Sequence, residues 1–395
     1  MKTLRFASPL LLAGALFAGD ATSQAQSFTP ALNKAVVATA QGHTVELPGF
    51  LTEKMAPIGY QKIVLPGPQY IISDDPEYIR VPESIALREA VQPGTVRLYV
   101  YNVNGVKEPA KIDRKITAVI KNTGSAPMTI RMLKYSSQKP STNYYLCGKQ
   151  GLADFFASKP QAKGRTVKPG EAIAIDEKLE QHIVKYDELV HGFYEFVIDQ
   201  PGEISVLQTD PKTPGPKALG RIHRIENSRH SNAGRGLFGV SNYLVKTDSV
   251  WSTANGPATL ILADGVKDPW VIGKDGSTGE LARLAGNYGV MYHIEMKWKS
   301  TNGKGLALVT WNSRAGDNQW CGGMANTMVV SQGKFPAGII QLPANKLITR
   351  SAPEAVLVQV FPPAKNGEEQ TIRLTYSPPG ASCLPTPLVF IPVDL

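Results

Sequence analysis

The sequence predicts an all-β fold made of two antiparallel β-sandwich domains that follow an extended N-terminal arm. Three observations predict it. The 395 residues include 36 Gly and 30 Pro, which provide many turns. Between these turns, short stretches alternate apolar and polar residues, as half-buried strands do. Charged residues make up only 19% of the chain, fewer than helical bundles and coiled coils carry.

The first 25 residues predict a signal peptide. Lys2 and Arg5 precede an apolar run over residues 9–19, and Ser23 and Ala25 fit the small-x-small cleavage rule. The run is about half of the ~20 residues that a spanning helix needs, so a membrane anchor is the weaker alternative. We therefore expect an exported protein, secreted or at the cell surface, with no transmembrane anchor.

Residues 26–90 are repeatedly interrupted by proline, which predicts an extended arm with short strands rather than a domain with its own core. Residues 91–210 then predict a β-sandwich. Its strands are expected at residues 95–102, 116–122, 128–134, 172–175, 191–198 and 204–207. This order of strands and polar turns resembles the immunoglobulin-like modules of bacterial surface proteins.

One helix is expected inside this sandwich, over residues 143–158. It places Tyr144, Leu152, Phe155 and Phe156 near one face and carries Cys147, which we interpret as a small buried apolar residue rather than a reactive thiol.

Residues 211–219 are rich in proline and predict a linker. Residues 220–395 predict a larger, jelly-roll-like sandwich. Its nine strands are expected at residues 241–246, 258–262, 289–297, 306–311, 327–330, 338–342, 355–361, 371–376 and 388–393.

The formal net charge is +9, and the second half is the more basic. Arg221, Arg224, Arg229 and Arg235 form its densest basic stretch, a candidate site for an anionic envelope polymer, because guanidinium groups contact phosphate, sulfate and carboxylate. The alternative is a solvated strand and loop. No aromatic residues alternate with these arginines, so we expect no specific nucleic-acid partner.

Two further sets of residues suggest ligands. Asp264, Asp268, Asp275 and Glu280 lie on glycine-rich loops and could hold a structural calcium ion, although Asp-Gly pairs also form ordinary turns. Trp270 and Trp298 could stack on sugar rings as in a carbohydrate-binding module. Their alternative position is the sandwich core.

Three cysteines allow one disulfide and one free thiol, and we expect Cys321 to pair with Cys383. Cys321 with His293 is the best candidate for a catalytic pair, but no nucleophile signature surrounds it. No nucleophile elbow, phosphate loop or zinc-ligand spacing is present. The sequence therefore predicts no enzyme and no certain cofactor.

Residues 263–273, 275–280 and 286–293 contain Asp264-Gly-Val-Lys, Asp275-Gly-Ser-Thr and Gly286-Asn-Tyr-Gly. Over about residues 221–345 the chain resembles a C-terminal module of uncharacterised secreted bacterial surface proteins. The resemblance implies an extracellular, envelope-associated protein and supplies no catalytic residues.

We thus expect a non-catalytic cell-surface or extracellular matrix protein that binds an envelope polymer or glycan, or assembles with copies of itself through its arm. The alternatives are a carbohydrate-binding module protein and, more distantly, a cysteine hydrolase that acts on envelope peptides.

Overall fold

The computed structural model describes residues 28–225, 234–314 and 322–395. The predicted signal peptide, Arg229 and Cys321 lie outside these ranges. The described residues confirm the all-β sandwich fold, with four sheets and a few short helices.

Residues 28–91 contain one helix and six strands. They are α1 (Pro30–Ala38), β1 (Thr44–Glu46), β2 (Ala56–Pro57), β3 (Tyr60–Leu65), β4 (Gln69–Ser73), β5 (Tyr78–Ile79) and β6 (Ser84–Val91).

The next part contains every strand predicted for the first sandwich, and the predicted helix as α2. The elements are β7 (Gly94–Asn104), β8 (Lys115–Asn122), β9 (Met128–Ser137), α2 (Tyr144–Ala157), β10 (Arg165–Val167), β11 (Ala172–Ala174), α3 (Glu177–Gln181), β12 (Leu189–Ile198), β13 (Gly202–Thr209) and α4 (Gly215–Ala218).

After residue 234, all nine predicted strands are present with ends within two residues of those expected. Four further short strands, β14, β16, β18 and β19, were not predicted. The elements are β14 (Arg235–Phe238), β15 (Asn242–Thr247), β16 (Trp251–Ser252), β17 (Ala258–Leu262), β18 (Val271–Lys274), β19 (Leu281–Leu284), β20 (Met291–Lys299), β21 (Gly305–Thr310), β22 (Asn326–Val330), β23 (Gly338–Leu342), β24 (Glu354–Phe361), β25 (Gln370–Tyr376) and β26 (Thr386–Val393).

The first sandwich packs two sheets face to face. The long sheet has the order β10-β9-β12-β7-β4-β14-β18-β19, with β5 also paired to β7, and the small sheet has the order β11-β8-β13-β6. Val96, Leu98 and Val100 of β7 pack with Ile120 and Val206 of the small sheet in one buried cluster. The alternation of inward and outward residues along β7 places its other side chains on the opposite face.

The second sandwich also packs two sheets. One has the order β23-β22-β25-β20-β15-β3, with β16 paired to β20, and the other has the order β1-β24-β21-β26-β17-β2. Their shared core contains Tyr292 and Trp298 of β20, with Leu308 and Phe390 from the opposite sheet. The same buried cluster extends to the second face of the long sheet through Tyr99 and to α2.

The N-terminal segment is not a separate arm. Its strands β1 and β2 join the last sheet, β3 pairs with β15, β4 and β5 pair with β7, and β6 pairs with β13. It contributes strands to all four sheets, and α1 covers the outer face of the last one. The proline-interrupted sequence predicted the short strands correctly, but it did not predict their position. The segment lies along the sandwiches because each of its strands pairs with a strand of a sheet.

The predicted linker at residues 211–219 does not separate the sheets. It contains α4, and strands β14, β18 and β19, which follow it, extend the long sheet through the pairing of β14 with β4. Several pairs are parallel, such as β4 with β7 and β15 with β20, so the mainly antiparallel sheets are mixed. Parallel neighbours need long connections, and intervening strands provide them here. None of the helices in the described ranges has the length and apolarity needed to span a membrane.

Candidate functional site

The arginines of the predicted basic patch do not form one exposed surface among the described residues. Arg235 is 1% exposed, and its Nε and Nη2 atoms lie 3.0 and 2.7 Å from Oδ2 of Asp275. It is buried because β14 lies between β4 and β18 in the long sheet. Arg235 is therefore not available to an anionic polymer.

Arg221 and Arg224 also contact their own chain. Arg221 forms an ion pair with Glu83, with Nη2 2.6 Å from Oε1, and this contact lowers the pKa of Glu83 to about 2. Nη1 of Arg224 donates a hydrogen bond to the carbonyl of Ser277 at 2.7 Å. The loop that would join the four arginines, with Arg229, is outside the described residues.

The buried carboxylates predicted as calcium ligands are engaged by protein groups. Oδ2 of Asp268 accepts hydrogen bonds from the Tyr292 hydroxyl at 2.6 Å and the Ala263 N–H at 2.8 Å, while Oδ1 pairs with Lys62. Asp275 pairs with Arg235 in the same way.

The other two predicted ligands lie at turns. Oδ1 of Asp264 accepts the N–H groups of Val266 and Asp268, as in an Asx turn, and Glu280 is exposed. Across the described ranges, no three His, Cys, Asp or Glu side chains are grouped so that they could hold a metal ion. The turn alternative accounts for these contacts.

The two tryptophans predicted to stack on glycans differ in position. Trp298 is 1% exposed in the core of the second sandwich, so it has no free face for a sugar. It is buried because it follows Tyr292, Ile294 and Met296 on the inward-facing side of β20. Trp270 is partly exposed, and its ring lies against Gly265, where a Cβ atom would be 2.4 Å away.

The cysteines leave the predicted disulfide untested. Cys147 is a buried free thiol, and its burial raises the pKa to about 11. Cys383 is buried, and its predicted partner Cys321 is outside the described residues. His293, the proposed base of the cysteine hydrolase alternative, is partly buried with Nδ1 3.4 Å from the Thr375 hydroxyl, and burial lowers its pKa.

A cleft between the two sandwiches, with a volume of about 660 Å³, is the strongest candidate site. We call it the tyrosine cleft, because five tyrosines and two carboxylates dominate its lining. Its residues are Asp74, Glu77, Tyr78, Tyr101, Thr142, Asn143, Tyr144, Tyr145, Tyr288, Gly322, Gly380, Ala381 and Ser382.

Segments distant in the sequence build this cleft. Asp74 and Glu77 lie on the loop between β4 and β5, and Tyr101 lies on β7. Tyr144 and Tyr145 are the first two residues of α2. The Asn143 side chain caps this end of the helix by accepting the Leu146 N–H at 3.1 Å. Tyr288 precedes β20, and residues 380–382 connect β25 to β26.

Hydrogen bonds and close packing hold the tyrosines in place. The hydroxyl groups of Tyr78 and Tyr144 are 2.9 Å apart, and the Tyr144 hydroxyl also donates to the carbonyl of Asp187 at 3.0 Å. A Cβ atom at Gly380 would lie 2.2 Å from the ring of Tyr101, so only glycine permits this approach. The aromatic wall is therefore largely formed before any ligand binds.

The two carboxylates are free to bind a ligand as far as the described residues are concerned. No described group forms a hydrogen bond or ion pair with the side chain of Asp74 or Glu77. Burial raises the pKa of both, and the neighbouring charges of Glu77 and Asp75 raise that of Asp74 further. Asp74 therefore retains a proton to a higher pH than an exposed aspartate and can donate as well as accept a hydrogen bond.

A second cavity, of about 590 Å³, lies between α2, β9 and α3, and Tyr135 and Tyr194 line it. Its acids already have partners: Oδ2 of Asp176 accepts the Tyr194 hydroxyl at 3.0 Å, and Asp154 accepts Gln138 and Gln150. It offers fewer unengaged polar groups than the tyrosine cleft does.

The tyrosine cleft was not predicted from the sequence. The predicted helix places Tyr144 near one face, but no sequence pattern brings it together with Tyr101 or Tyr288. The signal available was the 14 tyrosines of the chain, several beside turns. Their convergence depends on how the long sheet meets the second sandwich, which spacing does not reveal.

No family model matches the chain, and no curated protein matches it. Among solved structures, it is similar to the CUB1-EGF-CUB2 domain of human MASP-1/3 at 8% identity, covering 78% of this chain and 100% of that one, with a TM-score of 0.18. It is also similar to an oxalate decarboxylase at 8% identity, covering 87% and 79%, with a TM-score of 0.15. A Lactobacillus farciminis oxalate decarboxylase follows at 9%, covering 83% and 86%, with a TM-score of 0.14. TM-scores this low support no inference about function from these structures.

Proposed function

We propose that the chain is an exported, non-catalytic cell-envelope protein that binds a glycan in the tyrosine cleft. One observation carries the proposal: five tyrosines surround two carboxylates that have no hydrogen-bond partner among the described residues. Aromatic faces can stack on sugar rings, and carboxylates accept hydrogen bonds from sugar hydroxyls. A largely apolar, preformed cleft with a few polar groups is typical of small-ligand sites.

The charges of the cleft indicate which glycan it favours. Asp74 and Glu77 line it, and Asp75 lies beside them, whereas the Arg80 guanidinium lies over the ring of Tyr78, 5.3 Å from its centroid. Where these groups are ionised they repel an anionic polymer, and where they are protonated they offer it no cation, whereas a neutral glycan or an amino sugar is not repelled in either state. We therefore propose a neutral or amino-sugar glycan for this site.

Export is supported by the charged start, apolar run and small-residue end of residues 1–25. Self-assembly through the N-terminal segment is the weaker alternative. Strands β1 to β6 already pair within the chain, so the segment offers few unpaired strand edges to a neighbouring copy.

Binding to chito-oligosaccharides and cello-oligosaccharides, measured by calorimetric titration, tests the proposal. Tyr145→Ala removes one ring from the cleft without touching the Tyr78–Tyr144 hydrogen bond. We expect it to weaken binding about three- to tenfold, the usual value of one aromatic contact. The bound oligosaccharide should be recovered uncleaved.

Tyr135→Ala is the matched control, because Tyr135 is 36% exposed and lines the second cavity instead. Its affinity should equal that of the wild type. The proposal fails if neither oligosaccharide binds, or if both variants lose affinity equally.

A further inference from the structure

The β18–β19 hairpin presents an exposed face that the tyrosine cleft does not use. Val271, Ala282 and Leu284 point into the core, and the alternate positions point outwards. The outward face consists of Ile272, Lys274, Leu281 and Arg283, and we call it the hairpin face. Ile272 is 43% exposed and Leu281 is 66% exposed, so the face presents two large apolar side chains next to each other.

The apolar and cationic residues of the hairpin face alternate in space. Ile272 lies opposite Arg283 and Lys274 lies opposite Leu281 in the strand register, so the four side chains form one compact patch. Neither cation forms an ion pair with a residue that the structure describes. The loop before β18 repeats the pattern with Val266, which is 81% exposed, and the exposed Lys267.

We propose that the hairpin face docks on an anionic lipid surface. Ile272 and Leu281 would enter the boundary between headgroups and acyl chains, while Lys274 and Arg283 would contact lipid phosphates. This inference goes beyond the glycan site and does not depend on it.

The composition of the face favours lipid over other occupants. A soluble anionic polymer would need the cations but would leave the two apolar side chains in water. If two copies packed this face against each other, Lys274 and Arg283 of both copies would lie in one interface, and like charges repel. Only an anionic surface with an apolar layer beneath it satisfies both kinds of residue.

Co-sedimentation with vesicles tests the proposal. The full chain should bind vesicles that contain phosphatidylglycerol in phosphatidylcholine, and should bind phosphatidylcholine alone far less. Lys274→Gln with Arg283→Gln should weaken binding about fivefold for each charge removed. Ile272→Ser with Leu281→Ser should weaken it about tenfold or more, because the apolar side chains no longer enter the surface.

Matched controls exist elsewhere on the chain. Lys163→Gln with Lys168→Gln removes two exposed cations at the opposite edge of the long sheet, and Ile63→Ser with Val64→Ser removes two exposed apolar residues from β3. Both controls should bind like the wild type. Equal binding to both vesicle types, or equal losses in the controls, would overturn the proposal. So would a dimer, detected by light scattering, that Ile272→Ser with Leu281→Ser dissociates.

Discussion

At the scale of single residues, burial decides whether an arginine is structural or available. Arg235 and Arg221 belong to the same basic stretch of sequence, yet the Arg235 side chain is 1% exposed and the Arg221 side chain is 48% exposed. Both have a carboxylate partner. Removing one member of a buried ion pair leaves a charge in a poorly solvated place, whereas water and salt screen an exposed pair.

Arg235→Ala should therefore lower the free energy of unfolding by about 3–5 kcal/mol, because Asp275 loses its buried guanidinium partner. Urea unfolding followed by circular dichroism measures this. Arg221→Ala is the control, and it should change stability little because its pair with Glu83 is at the surface. If Arg235→Ala were no less stable than Arg221→Ala but bound teichoic acid less well, the basic-patch prediction would be restored.

At the scale of elements, α2 shows how one helix joins the two sandwiches. It packs against β9 and β12 of the long sheet and against β22 and β23 of the second sandwich. The approach to β12 depends on Gly151, since a Cβ atom there would lie 2.3 Å from Cε1 of the buried His191 ring. The His191 ring in turn lies 3.2 Å from the Tyr99 hydroxyl.

Gly151→Ala separates helix propensity from packing because the two predict opposite signs. Alanine should stabilise an isolated helix by about 1 kcal/mol relative to glycine. The clash with His191 should outweigh this and destabilise the protein by about 1–3 kcal/mol, the usual cost of overpacking. Thermal unfolding measures the difference.

Gly220→Ala is the control, since no atom lies within 4 Å of a Cβ atom placed there. A Gly151→Ala protein more stable than the wild type would show that α2 can move away from β12, contrary to the packing described above.

Elements with strong local patterns were predictable, and short ones that depend on a neighbour were not. The alternating residues of β20, the mostly apolar run of β24 and the apolar face of α2 are visible in the sequence. Strands β18 and β19 have four residues each, and glycine occupies one of those positions in β18, so pairing rather than pattern defines them. For the tyrosine cleft, the residue types were visible, but the contact of Tyr101 with Gly380 across 279 residues depends on tertiary packing.

At the scale of the whole molecule, the long sheet makes the two halves interdependent. Strand β14 lies between β4 and β18, so strands from both sides of residues 211–219 share one hydrogen-bonded sheet. One buried cluster also includes Tyr99 of the first sandwich and Phe390 of the second. Among the described residues, strand pairing and a shared core cross residues 211–219, whereas few contacts cross the boundary between independent domains.

This architecture predicts a single cooperative unfolding transition. The five tryptophans all follow residue 250, so their fluorescence reports the second half alone, whereas far-ultraviolet circular dichroism reports both halves. In a urea titration the two signals should give the same midpoint and the same slope, as a two-state transition requires. Two independent sandwiches joined by a linker would instead give a tryptophan midpoint that differs from the dichroism midpoint. That result would mean that the pairing of β14 with β4 contributes too little to couple the halves, and that the predicted boundary at residues 211–219 separates two units of folding after all.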